Sequence, residues 1–209
     1  MTRRFVKICG LTSLDDALLA VDAGADAIGF VFWPKSPRAI APARAAEIGR
    51  VLPPQIVRVG VFVDASPEEM TRVADEAGLD LLQLHGDESP EALGALCRPA
   101  WKALRVGAGF ASRDAARWSG RVSGLLLDTK AAAAPGGTGV AFDWSLARGA
   151  REHAAFLMLA GGLTPENVER AIAIASPDGV DVSSGVESAP GKKDAGKVRA
   201  FVAAVRNAA

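Results

Sequence analysis

Two side chains that follow apolar segments are suited to proton transfer. Cys9 ends the apolar segment Phe5–Cys9, and Lys7 lies two residues before it. Residues two apart in a strand point to the same side, so the Lys7 ammonium is expected to favour the thiolate and lower the thiol's pKa. Asp128 follows the apolar run Leu125–Leu127, where a carboxylate must lie at a rim or be paired, since burying an unpaired charge is costly. A thiolate and a carboxylic acid together predict acid–base chemistry.

Each of these residues also has an ordinary structural interpretation. A lone Cys is often buried and inert, and Lys7 could pair with an inward-facing carboxylate. Asp128 could cap a helix or bridge to Lys130. Residue type and spacing leave these alternatives open.

Two short segments rich in glycine and serine are suited to binding an anion. They contain Gly161, Gly162, Ser183, Ser184 and Gly185. The first leads to a helix start predicted at Thr164-Pro165, and the second leads into a small helical turn. Backbone N–H groups at such starts form phosphate sites. Plain tight turns are the alternative, but two such segments in one chain favour phosphate binding.

Three further side chains are candidates for contacts with a substrate. Arg38 lies in the loop Trp33–Ala41 and offers a planar fork suited to a carboxylate. His85 and Asp181 stand at or just after the ends of predicted strands. One His without nearby ligands does not indicate a metal, and no metal site is predicted. The glycine-rich residues 135–139 are typical of a mobile lid.

These residues are distributed along an alternation of strands and helices. The predicted strands are Phe5–Cys9, Ala27–Phe32, Val57–Val63, Leu79–Leu84, Trp101–Val106, Ser123–Asp128, Phe156–Leu159 and Gly179–Val182. Eight strand–helix units in one chain predict an α/β fold, a single (βα)8 TIM barrel over residues 1–209, whose working face lies at the carboxyl ends of the strands. An open doubly wound sheet is the main alternative. It normally has a glycine fingerprint after the first strand, and Cys9-Gly10-Leu11-Thr12 is not one.

The composition limits the classes of partner. The chain of 209 residues carries 24 basic and 24 acidic side chains, for a formal net charge of +0. This balance argues against nucleic acid or a membrane surface as partner. Two cysteines, and no basic leader followed by a long apolar stretch, predict a cytoplasmic protein.

An ordered set of motifs along the whole chain resembles the phosphoribosylanthranilate isomerase family. The motifs are Lys7-Ile8-Cys9-Gly10-Leu11-Thr12, Lys35-Ser36-Pro37-Arg38, Gly60-Val61-Phe62-Val63, Gln83-Leu84-His85-Gly86, Leu127-Asp128, Gly136-Gly137-Thr138-Gly139, Phe142-Asp143-Trp144, Ala160-Gly161-Gly162-Leu163, Asp181-Val182-Ser183-Ser184-Gly185-Val186-Glu187 and Pro190-Gly191-Lys192-Lys193-Asp194. No single motif is diagnostic, but the collinear set is highly specific.

The resemblance implies an Amadori rearrangement of a phosphorylated aminoaldose in tryptophan biosynthesis. It implies that Cys9 is the general base, Asp128 the general acid and Arg38 the partner of the anthranilate carboxylate. The two glycine–serine segments would bind the phosphate, and His85 and Asp181 would contact the sugar or the ring. The family needs no metal, flavin or pyridoxal cofactor, and its members are monomers or homodimers.

Two other functions remain open on the sequence. A related ProFAR-type sugar isomerase shares the barrel, but such enzymes usually rely on two Asp residues, whereas here the first strand supplies Cys9. A non-catalytic barrel that binds a phosphorylated ligand would keep the glycine segments and lose the acid and the base.

Overall fold

Eight parallel strands close into a barrel in the order in which they occur in the chain. The computed structural model describes residues 3–91, 96–107, 109–129, 144 and 146–208. The barrel strands are β1 (Phe5–Cys9), β2 (Ala27–Val31), β3 (Val57–Phe62), β4 (Leu81–Leu84), β5 (Ala100–Val106), β6 (Gly124–Thr129), β7 (Leu157–Ala160) and β8 (Gly179–Val182). A 3₁₀ turn at Ser184–Val186 and a hairpin of β9 (Glu187–Ala189) and β10 (Lys192–Lys193) follow the last barrel strand. The predicted (βα)8 barrel is therefore confirmed.

Helices follow most of the barrel strands. They are α1 (Leu14–Asp22), α2 (Pro42–Val51), α3 (Pro67–Ala77), α4 (Ser112–Ala116), α5 (Leu146–Arg151), α6 (Val168–Ala175) and α7 (Ala195–Asn207). In the ranges that the structure describes, no helix is long and apolar enough to span a membrane. The predicted glycine-rich lid at residues 135–139 and Lys130 lie outside the described residues.

The prediction of a helix start at Thr164-Pro165 is wrong. The helix α6 begins at Val168, after Asn167. The Thr164 amide donates to the Oδ1 atom of Asn167 over 2.8 Å, and the Asn167 side chain donates to the carbonyl oxygen of Gly162 over 2.9 Å. These local side-chain bonds stabilise a turn where the first helical residues were expected.

Two separate hydrophobic cores flank the barrel wall. Leu125 and Leu127 belong to the large core between strands and helices, whereas Leu126 belongs to a smaller core with residues from the other strands. Successive residues of a strand face opposite sides. Leu126 therefore faces the barrel interior, and Asp128, two residues later, continues on that inner side at the end of β6.

The same alternation places the candidate residues of the first strand. Val6 and Ile8 lie in the outer core, whereas Phe5 packs against the inner one. Lys7 and Cys9 therefore point into the barrel. The Phe5 ring lies edge-on to Trp101 with ring centroids 6.0 Å apart. Aromatic packing thus fills the end of the barrel where the strands begin, and the titratable side chains lie toward the end where the strands finish.

Candidate active site

A cavity of about 670 Å³ opens at the carboxyl ends of the barrel strands. The structure brings all ten candidate site residues to its wall. They are Cys9, Arg38, His85, Asp128, Gly161, Gly162, Asp181, Ser183, Ser184 and Gly185. Trp33 and several aliphatic side chains also line it, so the cavity wall presents both charged and apolar groups. This combination suits a ligand that carries both anionic groups and an aromatic ring.

Lys7 and Asp181 form an ion pair beneath Cys9. The two residues are paired in register on the neighbouring strands β1 and β8, and the Lys7 Nζ atom lies 3.0 Å from Oδ2 of Asp181. The Lys7 side chain has no exposed surface. Burial by itself lowers the pKa of Lys7, but the interactions with Asp181 and Cys9 together outweigh this effect, and the net pKa is raised. Lys7 is therefore a buried ammonium whose charge is largely balanced by Asp181.

Burial overturns the low pKa expected for Cys9. Cys9 is buried, with 7% of its surface exposed. Burial raises the pKa of the Cys9 thiol, the Lys7 ammonium opposes this shift, and the Asp181 carboxylate adds to it. The prediction of a lowered pKa is thus wrong, because burial of the thiol outweighs the Lys7 ammonium, and the nearby Asp181 carboxylate also raises the pKa. With its pKa raised, Cys9 rests as a thiol at neutral pH.

Gly29 on β2 leaves the space in which Cys9 and Lys7 meet. A Cβ atom at this position would lie 2.7 Å from the Cys9 Sγ atom and 3.1 Å from the Lys7 Nζ atom. Both distances are shorter than ordinary contacts of a Cβ atom. The absence of a side chain at Gly29 therefore leaves room for both the Cys9 sulfur and the Lys7 ammonium next to β2.

A chain of hydrogen bonds runs from the barrel interior to Asp128. The Nε2 atom of His85 lies 2.8 Å from Oδ2 of Asp128, and Nδ1 lies 2.9 Å from the Gln83 amide nitrogen. With the amide donating to Nδ1, the imidazole carries its proton on Nε2 and donates it to the carboxylate. Gln83 is buried, so it holds the imidazole ring from behind. His85 in turn fixes the orientation of the Asp128 carboxylate at the cavity wall.

The two glycine–serine segments lie side by side at the cavity. Gly161 and Gly162 have φ angles of 81° and 65°, a region that favours glycine. A Cβ atom on Gly185 would overlap the carbonyl oxygen of Leu163, so the second segment packs directly on the first. The Oγ atom of Ser183 is buried and has no hydrogen-bond partner among the described residues. Close packing of the two backbones favours a shared anion site.

Arg38 is held by side chains that the sequence analysis did not assign. Its Nε and Nη2 atoms donate to Oε1 and Oε2 of Glu187 over 2.7 and 2.6 Å. Lys193 lies 3.0 Å from the same Oε1 atom. Burial would raise the pKa of Glu187, but the hydrogen bonds and charges of Arg38 and Lys193 lower it to about 2. Arg38 is therefore held by an ionised carboxylate as it lines the cavity.

Three residues of this site had no role assigned from the sequence: Gln83, Glu187 and Lys193. All three lie within motifs that carry the family resemblance, which is the signal that could have singled them out. Their partners lie elsewhere in the chain, however. Glu187 is 149 positions from Arg38, and sequence spacing does not reveal such a contact.

Comparisons with known proteins agree on one family. The family model described as N-(5'-phosphoribosyl)anthranilate (PRA) isomerase matches residues 6–204. The chain is 54% identical over 198 residues to an N-(5'-phosphoribosyl)anthranilate isomerase of Geobacter sp. (strain M21), covering 95% of this chain and 96% of that protein. The phosphoribosyl anthranilate isomerase structure from Thermotoga maritima superposes with a TM-score of 0.89 at 44% identity, covering 98% and 99% of the two chains.

A second solved structure contains a bound ligand. This phosphoribosyl anthranilate isomerase, in complex with reduced 1-(o-carboxyphenylamino)-1-deoxyribulose 5-phosphate, superposes with a TM-score of 0.86 at 42% identity. The match covers 98% of this chain and 99% of that one.

Proposed function

The chain belongs to the N-(5'-phosphoribosyl)anthranilate isomerase family, and we propose that Cys9 and Asp128 carry out the proton transfers of its reaction. The family activity is the isomerisation of an aldose to a ketose in tryptophan biosynthesis. The substrate N-(5'-phosphoribosyl)anthranilate becomes 1-(o-carboxyphenylamino)-1-deoxyribulose 5-phosphate. The observation that carries the assignment is the single cavity that Cys9, Asp128, Arg38 and the glycine–serine segments line together.

Asp128 acts first in this proposal. Its carboxylic acid protonates the ring oxygen of the furanose, the bond between C1 and that oxygen breaks, and the anthranilate nitrogen forms a Schiff base at C1. For this step Asp128 must carry a proton of its own on Oδ1, because the neutral imidazole of His85 keeps the Nε2 proton that it donates to Oδ2 over 2.8 Å. The imidazole then donates to the carboxylate that remains, which stabilises the charge left on Asp128.

Cys9 acts second. Its thiolate, formed when the thiol loses its proton to solvent, removes the proton from C2 of the sugar, and the electron pair moves toward the positively charged nitrogen to give an enolamine. The enolamine then tautomerises to the ketone when its hydroxyl loses a proton and C1 gains one. The Schiff base accepts the electron pair, so the step needs no further electron acceptor.

The remaining side chains hold the substrate across the cavity. We assign the phosphate to Gly161, Gly162, Ser183, Ser184 and Gly185. Arg38 pairs with the anthranilate carboxylate. The Oδ1 atom of Asp181 is buried at the cavity and has no hydrogen-bond partner among the described residues, which suits an acceptor for a sugar hydroxyl. His85 acts on the substrate through Asp128. Binding of distant groups positions the reacting atoms and lowers the barrier.

Purified protein tests the activity directly. Phosphoribosylanthranilate is expected to lose its fluorescence when the enzyme is added, at a rate proportional to enzyme concentration. The substrate of the ProFAR-type isomerases is assayed in parallel. Turnover of that substrate alone would contradict the proposed function, and binding of product analogue without turnover would indicate a non-catalytic barrel.

We propose that the chain functions in the cytoplasm as a monomer or a homodimer. A reducing compartment keeps Cys9 a free thiol, as the mechanism requires. Light scattering during gel filtration, with activity measured on the same fractions, gives the state of the active species. Activity confined to species larger than a dimer would contradict this assignment.

The Cys9 thiol is expected to titrate above the ordinary pKa of a thiol. Burial raises its pKa more than Lys7 lowers it. Because the thiolate is the basic form, kcat/KM is expected to increase with pH through the same midpoint. Thiolate ultraviolet absorbance of the Cys97→Ser variant measures Cys9 alone, since the chain has 2 cysteines. The variant that lacks both thiols provides the baseline. A midpoint below the ordinary value would show that Lys7 outweighs burial.

Gly185→Ala is expected to weaken binding of the phosphate. The new Cβ atom would overlap the Leu163 carbonyl oxygen, so the two glycine–serine segments must move apart. A hydrogen bond to a charged group contributes about 1.5–3 kcal/mol, so loss of one should raise KM roughly 10- to 100-fold. Gly149→Ala is the matched control, because its Cβ would have an ordinary contact of 3.8 Å with Ser112. Equal KM values for the two variants would contradict the phosphate assignment.

A further inference from the structure

The hairpin that follows β8 supplies two charged side chains for which the proposed reaction has no role. We propose that Glu187 is a positioning residue that holds Arg38 ready for a substrate carboxylate; Arg38 and Glu187 are called the carboxylate anchor below. Lys193 then links this anchor to the second glycine–serine segment, Ser183–Gly185, which is called the phosphate segment. This inference rests on the proposed function, because it assumes that Arg38 meets the anthranilate carboxylate. It predicts selectivity for ligands that carry a carboxylate and a phosphate at a fixed separation.

Glu187 and Arg38 form a bidentate ion pair. Both carboxylate oxygens accept a hydrogen bond, one from Nε and one from Nη2, which fixes the plane of the guanidinium as well as its position. Glu187 thereby uses two of the three guanidinium nitrogens and leaves Nη1 for another acceptor. The Glu187 side chain is 5% exposed and that of Arg38 is 22% exposed. The arrangement therefore buries the carboxylate and leaves the guanidinium accessible from the cavity.

The charges of this cluster favour an anionic ligand. Arg38 and Lys193 are cations around the single anion Glu187, so the group carries one net positive charge. Without Lys193, the buried Glu187 would cancel the charge of Arg38 and would repel an incoming carboxylate. Lys193 is fully buried at its side chain and lies 3.0 Å from Glu187. Its position explains how a carboxylate can support Arg38 while the site still attracts an anion.

Lys193 also connects the cluster to the phosphate segment. Its Nζ atom donates to the backbone carbonyl oxygen of Ser183 over 3.2 Å. Arg38 and Ser183 also meet over Gly10, where a Cβ atom would lie 2.5 Å from Cδ of Arg38 and 2.9 Å from Oγ of Ser183. Lys193 and Gly10 therefore each lie next to both the carboxylate anchor and Ser183, the first residue of the phosphate segment.

The hairpin is itself fixed to the first βα unit of the barrel. Thr12 donates from Oγ1 to the Gly191 carbonyl oxygen over 2.8 Å, and the Lys193 amide donates to Oδ2 of Asp16 over 3.1 Å. Lys197 from α7 donates to the Glu187 carbonyl oxygen over 2.9 Å. With its backbone held at these points, the hairpin can set the distance between the two anion sites.

Glu187→Gln tests the positioning role. The amide keeps the size of the side chain but cannot accept two charge-assisted hydrogen bonds from Arg38. We expect the Kd of reduced 1-(o-carboxyphenylamino)-1-deoxyribulose 5-phosphate and the KM of the substrate to rise about tenfold or more, with kcat changed much less. Arg38→Met should raise both constants, and the double variant should be no worse than Arg38→Met alone. Losses that multiply in the double variant would overturn the inference, because Glu187 would then act independently of Arg38.

Lys193→Met tests the link between the two anion sites. We expect it to weaken inhibition by inorganic phosphate as well as binding of the product analogue, whereas Glu187→Gln should weaken binding of the analogue and leave phosphate inhibition nearly unchanged. Lys192→Met is the matched control, because this neighbour is exposed on the same hairpin. Equal phosphate inhibition in the Lys193 and Lys192 variants would overturn the proposed link.

Two further measurements keep failure of folding apart from failure of the inference. Thermal unfolding is recorded for each variant, and Glu187→Asp keeps the charge if the Gln variant is unstable. The Asp variant should bind the analogue more tightly than the Gln variant; equal binding would contradict a role for the carboxylate. If wild-type protein does not bind the analogue at all, the proposed function fails rather than the positioning role.

Discussion

Asp128→Asn is expected to lower kcat by about 10²- to 10⁴-fold, the usual contribution of a general acid. The amide has nearly the same shape and can still contact His85, but it has no proton acidic enough to give to the ring oxygen. Ring opening then becomes the slow step. Because Asp128 is assigned to proton transfer and not to binding, KM and the affinity for the product analogue should change little.

The matched control for this variant is Asp87→Asn. Asp87 stands on the same rim of the barrel, with its side chain 83% exposed and 3.4 Å from Arg105. It should keep the wild-type rate. Thermal unfolding of both variants checks that the fold is intact. If Asp128→Asn kept roughly a tenth or more of the wild-type kcat, a loss smaller than a general acid normally provides, the acid would have to be another group.

Cys9→Ser is expected to cause a loss of similar size, about 10²- to 10⁴-fold in kcat, because it removes the general base. The hydroxyl fits the space of the thiol but is a much weaker acid, so far less of it is ionised at any working pH. Ring opening by Asp128 should still take place. The enzyme would therefore bind substrate normally and fail at removal of the proton from C2.

Cys97→Ser is the control for the change at Cys9. Cys97 is an exposed free cysteine outside the cavity, so its replacement should leave kcat and KM unchanged. Exchange of the substrate C2 hydrogen with deuterated solvent gives a second measurement. This hydrogen exchange should be lost in Cys9→Ser and unchanged in Cys97→Ser. Exchange at the wild-type rate in Cys9→Ser would exclude Cys9 as the base.

The order of the elements and the general location of the site could be predicted from local sequence. Apolar runs alternate with capped amphipathic segments, and eight such units can close a barrel. Cys9 and Asp128 directly follow apolar runs, so a barrel necessarily places them at the edge where the strands end. The glycine and serine segments were also recognisable, since backbone N–H groups exposed by small residues are a local feature.

The tertiary structure decided which side chains meet, and with what charge. Three consecutive leucines before Asp128 do not show which side of the strand faces inward; closure of the barrel places Leu126 inside and Leu127 outside. Burial of Cys9 in the closed barrel raises the thiol pKa that Lys7 alone would lower, and the Asp181 carboxylate, which register between β1 and β8 pairs with Lys7, adds to this shift.

The partners of Asp128 and Arg38 were likewise decided by the fold. His85 is 43 positions from Asp128, and Glu187 is 149 positions from Arg38. A strand or a helix depends on residues a few positions apart, so its pattern can be recognised in the sequence. The strength of an ion pair and the pKa of a buried thiol depend on distance and burial in three dimensions, which are defined only once the eight strands have closed on one another.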